Sequence, residues 1–315
     1  AIKDGRPVVL AFGAHAIKNG LAPVLIALLR EGWVSHLATN GAGIIHDWEL
    51  AFQGETSEDV RANIADGRFG NWAETGYYLN LAINIGAWEG KGYGEAVGAL
   101  VHEGGLEIPS PATLRTAVAD ADADPGRAAA AADLLQVCRR FELAPGRLEL
   151  AHPWKHDCVQ AAAWAAGIPA TGHVMFGHDI IYNHPMNHGG LLGRAAERDF
   201  LAFAHTVSRI EGGVYLSVGS AVMSPMIFEK SFSMAQNLAL QSGRRIDDHF
   251  ILVVDLAAST WDWHQGEPPP DTPDYYLRFN KSFSRMGGQM HYLQADNRDF
   301  FLWLLHALRG TPVDT

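Results

Sequence analysis

Short apolar runs alternate with longer stretches of helical periodicity over most of this chain, and that alternation limits the fold more than any other sequence feature. A strand covered on both faces reads as an unbroken apolar run, and two parallel strands need a crossover between them that is usually a helix. Val8–Phe12 reads as a first buried strand, followed by a helix over Asn19–Arg30 with Leu21, Val24, Leu25, Leu28 and Leu29 on one face. His36–Thr39 is a short second strand, ending at Asn40-Gly41-Ala42-Gly43. The pattern resumes with a strand at Ala170–Met175, a helix at Ala195–Arg209, a strand at Gly213–Val218, a helix at Pro225–Leu240 and a strand at Phe250–Asp255. A Pro-rich loop spans Trp261–Pro273, then a strand follows at Gln289–Leu293 and a last helix at Asn297–Leu308. The expected architecture is α/β: a Rossmann-like, doubly wound, mostly parallel sheet with helices on both faces. Ser57 to Arg140 reads as mostly helical, so one domain over 1–315 with a helical insertion around 57–145 is expected.

At 315 residues and 48% hydrophobic, the chain can bury a large core. No apolar run approaches the ~18 residues of a membrane-spanning helix, so no membrane partner is expected. Ala1-Ile2-Lys3-Asp4-Gly5 lacks the build of a signal peptide and leads almost at once into a strand, which suggests that an N-terminal segment precedes it. Two cysteines, Cys138 and Cys158, make no disulfide framework and point to a reducing cytoplasm. A formal charge of −11 argues against a phosphate-backbone partner such as nucleic acid and is compatible with a cationic one.

In open α/β sheets, ligands gather outside the carboxyl ends of the strands. Three predicted strand ends carry small residues: Phe12-Gly13-Ala14-His15, Thr39-Asn40-Gly41-Ala42-Gly43 and Val218-Gly219-Ser220-Ala221. Such turns let backbone N–H groups approach a pyrophosphate, although none has the G-x-G-x-x-G spacing and each is also what a tight turn requires. Between Arg245 and Arg278 lie Asp247, Asp248, Asp255, Asp262, Glu267, Asp271 and Asp274, with Trp261, Trp263, Tyr275 and Tyr276 and no Lys or Arg. Carboxylates beside aromatic faces suit an aliphatic amine; a solvated acidic loop is the plain alternative. Lys281 follows directly.

His173, His178, His184 and His188 with Asp179 form a second constellation, and His152 and His156 lie upstream. These are zinc or iron ligand types, but their spacing fits no metal motif and Pro185 breaks His184 and His188 off a regular helix. A polar pocket, backbone hydrogen bonds or one general base are the other readings. Cys158 beside Lys155 and His156 is either a nucleophile or a buried residue at a helix start.

In order along the chain, several of these segments resemble the deoxyhypusine synthase family, including its bacterial deoxyhypusine synthase-like proteins. Phe12–Gly20 with the helix after it resembles that family's first strand–loop–helix unit. Thr39-Asn40-Gly41-Ala42-Gly43 followed by Asp47 is similar to its Thr-Thr-Ala-Gly-Gly turn and downstream acid. Gly219-Ser220-Ala221-Val222 stands where the family has a glycine-triplet turn, and Ala295-Asp296 resembles a dinucleotide-contacting pair. Pro273-Asp274 lies at the family's distance from its lysine, here Lys281, with Phe279 replacing the Trp of Trp-Gly-Lys.

The resemblance implies a homotetramer binding NAD in a Rossmann-like domain, and a transferase that oxidises a polyamine and holds the aminobutyl group on a lysine imine. On that match Lys281 and Asp274 are catalytic. His15, Thr39, Asn40, Gly41, Gly43, Asp179, Gly219, Ser220, Asp255 and Asp296 would contact the cofactor. Met223-Ser224-Pro225-Met226 replaces the family's catalytic-histidine segment, Ile45 its second acid and Tyr275 its substrate glutamate, so His178 or His184 is the expected substitute base. The resulting expectation is an NAD-dependent enzyme acting on a small cationic amine or polar metabolite. A metal-dependent hydrolase or lyase on the histidine cluster, and a non-catalytic NAD-binding protein, stand beside it.

Overall fold

The computed structural model describes residues 1–310. They form two compact units: Ala1–Gly43, Ala166–His173 and the described part of Phe200–Thr315 make the first, and Ile44–Ala165 with Val174–Asp199 the second.

The first unit is built on a six-stranded parallel sheet. Its strands are β1 (Val8–Phe12), β2 (His36–Asn40), β5 (Ala170–His173), β6 (Val214–Val218), β7 (Phe250–Asp255) and β8 (Gln289–Gln294). The other two strands, β3 (Gly105–Ile108) and β4 (Gly146–Glu149), belong to the second unit. The sheet order is β5-β2-β1-β6-β7-β8. The chain therefore winds outward from β1 through β2 to β5, then returns to the other side of β1 and winds outward through β6, β7 and β8. That is the expected doubly wound Rossmann-like arrangement, with the direction reversing between β1 and β6. Every residue of β1 is buried, which explains why Val-Val-Leu-Ala-Phe reads as an unbroken apolar run.

Side chains from β1, β6 and β7 pack with the crossover helices around Phe203, Tyr215, Phe228, Phe232 and Phe283. The buried Tyr215 hydroxyl is satisfied by Ser224 Oγ at 2.9 Å. The first crossover differs from the single helix expected over Asn19–Arg30. A short helix, His15–Lys18, stops at Gly20, which adopts φ 80°, and a second begins at Ala22–Arg30 with Pro23 in its first turn. The residues after β2 do not form a loop: the helix Gly41–Gln53 starts directly on the strand.

The second unit is mainly helical, and its core gathers around Trp48, Leu79, Leu81, Ile83, Ile85 and Tyr93. Its central helix, Ala73–Glu89, is buried over the whole run from Leu79 to Gly86, so no amphipathic face marks it in the sequence. Asn80 and Asn84, one turn apart on that helix, donate to the carbonyls of Ile181 and Met186 at 2.9 and 3.2 Å and fasten the segment between them. Helices Val60–Ala65, Tyr93–Glu103, Pro111–Ala119 and Pro125–Arg140 fall in the stretch expected to be helical. The antiparallel pair β3–β4 was not anticipated; it is four residues long on each side.

Candidate functional site

The carboxyl ends of the six parallel strands gather most of the residues expected to act. After β1 come Gly13, Ala14 and His15; at the end of β2, Thr39 and Asn40, then Gly41 and Gly43; after β6, Gly219 and Ser220; at the end of β7, Asp255; after β8, Asp296. A Cβ would crowd a neighbour at three of these points, and at Gly13 that neighbour is backbone. A Cβ on Gly13 would lie 2.0 Å from the Gly219 carbonyl oxygen, one on Gly43 would lie 2.2 Å from Thr39 Oγ1, and one on Gly219 would meet the Asn297 amide at 2.2 Å. Gly219 also adopts φ 59°, in the left-handed region. The turns after the two central strands are therefore in backbone contact across the reversal point, and no side chain separates them.

The polar residues at these ends fold back on their own turns. Thr39 is buried and donates its hydroxyl to the Phe12 carbonyl at 3.0 Å, joining β2 to β1. Asn40 Oδ1 accepts from Gly43 N at 2.9 Å and caps the helix that follows. Ser220 Oγ accepts from Ser224 N at 3.2 Å, and Asp255 Oδ1 from Ala257 N at 3.0 Å. Asp296 Oδ1 accepts from Arg298 N at 2.8 Å, and its hydrogen bonds with Arg298 hold its carboxyl below the usual range. His15 is exposed on the first short helix.

What these caps leave over is informative. The backbone N–H groups of Ala14, Ser220 and Ala221 have no acceptor among the described residues. They occupy the two turns that flank the reversal point, beside Gly13 and Gly219. Donors so placed suit an oxyanion.

Lys281 lies on the helix Arg278–Ser284 with its side chain 12% exposed. Its Nζ is 3.7 Å from Glu267 Oε2 and 3.3 Å from the Tyr275 ring centre, a carboxylate and an aromatic face that both favour a cation. Glu267 also receives Arg285, whose hydrogen bonds lower its pKa most. The acidic, aromatic segment thus holds an amine, and that amine is the protein's own. Asp274 accepts from Ser259 Oγ at 2.5 Å and Thr260 N at 3.2 Å, which hold its carboxyl low and tie its turn to the segment leaving β7. Asp274 thus fastens the turn before Lys281 to the segment that leaves β7.

Asn280, the residue before Lys281, was passed over in the sequence. It is wholly buried, and neither end of its side-chain amide has a partner. A buried amide in that state costs about 1–3 kcal/mol, which marks it as a place to look for a bound group. Only burial reveals it.

The other expected residues lie in the second unit. His178 is exposed. His184 sits between Tyr77 and Phe141, with Nδ1 accepting from Met186 N at 3.1 Å; burial lowers its pKa. Asp179 caps the turn Ile180–Asn183 through Ile181 N, and burial pushes its pKa up to about 6. Among the described residues no three His, Cys, Asp or Glu side chains come together as metal ligands. His173 instead packs edge-on against Phe203 in the first unit, and His188 meets Gln136. Cys158 is fully buried at the start of the helix Val159–Ala166, and burial pushes its thiol up, the wrong direction for a nucleophile. It donates to Asp47, whose carboxylate also takes Val159 N and Gln160 N, both at 2.9 Å.

No family model matches the chain, and no curated protein matches it. Solved structures resemble it at low identity. A conserved protein described as LOR/SDH from Methanococcus maripaludis S2 has TM-score 0.45 at 13% identity, over 98% of this chain and 62% of its own. ArgZ, an arginine dihydrolase of the cyanobacterial ornithine–ammonia cycle, has TM-score 0.41 at 14% identity, over 99% of this chain and 31% of its own. AgrE, in ternary complex with ornithine and NAD+, has TM-score 0.42 at 13% identity, over 97% and 30%. The chain thus spans less than two thirds of these proteins. The expected membership of the deoxyhypusine synthase family is not upheld: no model of it matches, and these neighbours are of other kinds. Its aminobutyl-transfer chemistry falls with it. The matched fragments were strand-end turns, and any doubly wound sheet needs small, capped turns there in the same order.

Proposed function

We propose that this protein is an enzyme that binds NAD across the carboxyl edge of its sheet and uses it to oxidise a small amine metabolite. The observation that carries the reading is the pair of glycine turns at the β1–β6 reversal, with the unpaired N–H groups of Ala14, Ser220 and Ala221 beside them. Two phosphates of a dinucleotide need such donors and room for close backbone approach. Asp255 and Asp296, at the ends of the next two strands, keep carboxylate oxygens free to accept from ribose hydroxyls.

When bound, NAD supplies the hydride acceptor. The chain supplies the rest. Lys281 is the reacting amine, acting as a base or adding to an imine carbon, and either role requires its nitrogen to lose a proton first. Glu267, 3.7 Å away and itself held by Arg285, orients the lysine, and the proton it loses passes to solvent. Tyr275 and Asp274 hold the lysine in place, and the Asn280 amide hydrogen-bonds the substrate.

Calorimetric titration with NAD, followed by NADH formation across a panel of small amines, tests the reading. Saturable NAD binding, with turnover lost in Lys281→Ala at unchanged NAD affinity, is the expected result. Absence of NAD binding at about 1 mM, where even a weak site fills, contradicts it.

A further inference from the structure

The opposite edge of the same sheet carries a second, differently charged site. A cleft of about 850 Å³ is lined by Arg6 and Pro7 before β1, Ser35 before β2, Pro169 before β5, Arg209 and Glu211 before β6, and Arg244, Arg245 and Ile246 before β7. The chain as a whole has 35 acidic against 24 basic residues, yet this cleft has four arginines and one carboxylate. That carboxylate is engaged: Glu211 Oε2 accepts from Asp247 N and Asp248 N at 2.9 and 3.1 Å. Arg245 pairs with Asp247 at 3.4 Å. Among the described residues, the guanidinium groups of Arg6, Arg209 and Arg244 pair with no carboxylate.

Cations near helix carboxyl ends offset the helix dipole, and this accounts in part for two of them. Arg209 follows the helix Gly189–Val207 and Arg244 the helix Met223–Gln241. It does not account for Arg6, which lies over Gly212 from the chain before β1. Nor does it explain why three unpaired guanidiniums on separate segments border one cleft. Guanidinium groups bind phosphate oxygens in pairs of parallel hydrogen bonds. The cleft is too large for one phosphate and within the range of small-ligand sites. Ile2, Pro7, Pro169 and Ile246 give it an apolar wall.

We propose that this amino-edge cleft binds a small molecule that joins two or more phosphates to a flat apolar group, such as a nucleoside diphosphate. The arginines take the phosphates and the apolar residues take the base. This site is independent of the reading at the carboxyl edge.

The probes are ADP and inorganic pyrophosphate, titrated calorimetrically into the protein with and without saturating NAD. The comparison protein carries Arg6→Gln, Arg209→Gln and Arg244→Gln together; each single variant is measured as well, so that a triple variant that fails to fold does not end the test. ADP should bind in the presence of NAD and more tightly than pyrophosphate, and the triple variant should lose about tenfold or more in affinity while keeping its NAD affinity. Pyrophosphate binding as tight as ADP with the same arginine dependence removes the apolar subsite and so overturns the nucleotide assignment. Unchanged ADP affinity in folded triple or single variants, ADP binding abolished by NAD, or no binding of either probe overturns the site.

Discussion

The two units place polar groups differently, although each buries some without a partner. In the sheet unit, the strand-end side chains are exposed or half-buried except Thr39, and Asn40, Ser220, Asp255 and Asp296 are each bonded to the turn beside them. In the helical unit, the Trp48 indole N–H, the Tyr93 hydroxyl and the Gln160 amide nitrogen are buried without partners, and the Asp47 carboxylate is buried with three donors. The first pattern leaves backbone donors at the rim open to a ligand. The second keeps polar groups inside a core, some of them unpaired.

The largest expected effect tests the helical core. Trp48 is fully buried and stacks on Phe52 at 4.7 Å, so Trp48→Ala should cost about 3–5 kcal/mol in chemical denaturation. An effect under about 1 kcal/mol would mean that the helical core is loose. Gly13→Ala comes next, because its methyl group cannot coexist with the Gly219 carbonyl unless the β1 and β6 turns separate. It should cost about 1–3 kcal/mol and weaken NAD binding more than any helical-unit variant, as measured by calorimetry. Asn280→Leu sharpens the contrast in a smaller way. Removing an unsatisfied amide should raise the denaturation midpoint, by about 1 kcal/mol in stability, while lowering amine turnover. Equal activity would leave Asn280 without a role in the site.

Acid separates the units most gently. In the sheet unit His36 is buried and His173 half-buried, and desolvation pushes both down to about 3. Between that value and the ordinary one of 6.5 the unfolded chain binds more protons, so this unit loses stability as pH falls through the interval. The limiting slope is about 1.4 kcal/mol per pH unit for each imidazole. Asp47 and Asp179 in the helical unit behave oppositely. Burial pushes both up to about 6 from 3.8, so the folded form binds more protons in that window and gains stability as pH falls through it. His152, lowered to about 4 by burial, offsets part of that gain. Hydrogen exchange corrected for intrinsic rates should show amides of the sheet unit losing protection first below about pH 6. Equal loss in both units would remove this distinction.

What the sequence reveals follows the same division. Phe250–Asp255 reads correctly to the residue, because a strand covered on both faces is apolar throughout and ends where the polar turn begins. The helix Ala73–Glu89 gives no periodicity to read, since Leu79 to Gly86 are buried on every side. Pair β3–β4 is invisible because Glu107, Arg147 and Glu149 are exposed on strands of four residues. At the site, the glycines and the strand-end acids are legible as residue types. Their ligand is not, because turn packing asks for the same glycines. Asn280 and the pairing of Lys281 with Tyr275 depend on burial and on contacts made only in the folded chain. A lysine preceded by seven acidic residues suggests a site for a foreign amine; the fold shows the site filled by Lys281 itself.

The central claim is that the carboxyl edge of the sheet receives the dinucleotide. A hydrogen-exchange footprint of the protein with and without NAD tests it most directly. The account predicts slowed exchange at Gly13–His15 and Gly219–Val222, with smaller changes beside Asp255 and Asp296 and none at the arginine cleft. NAD-dependent protection that spares both glycine turns, or falls only on the helical unit, would contradict it.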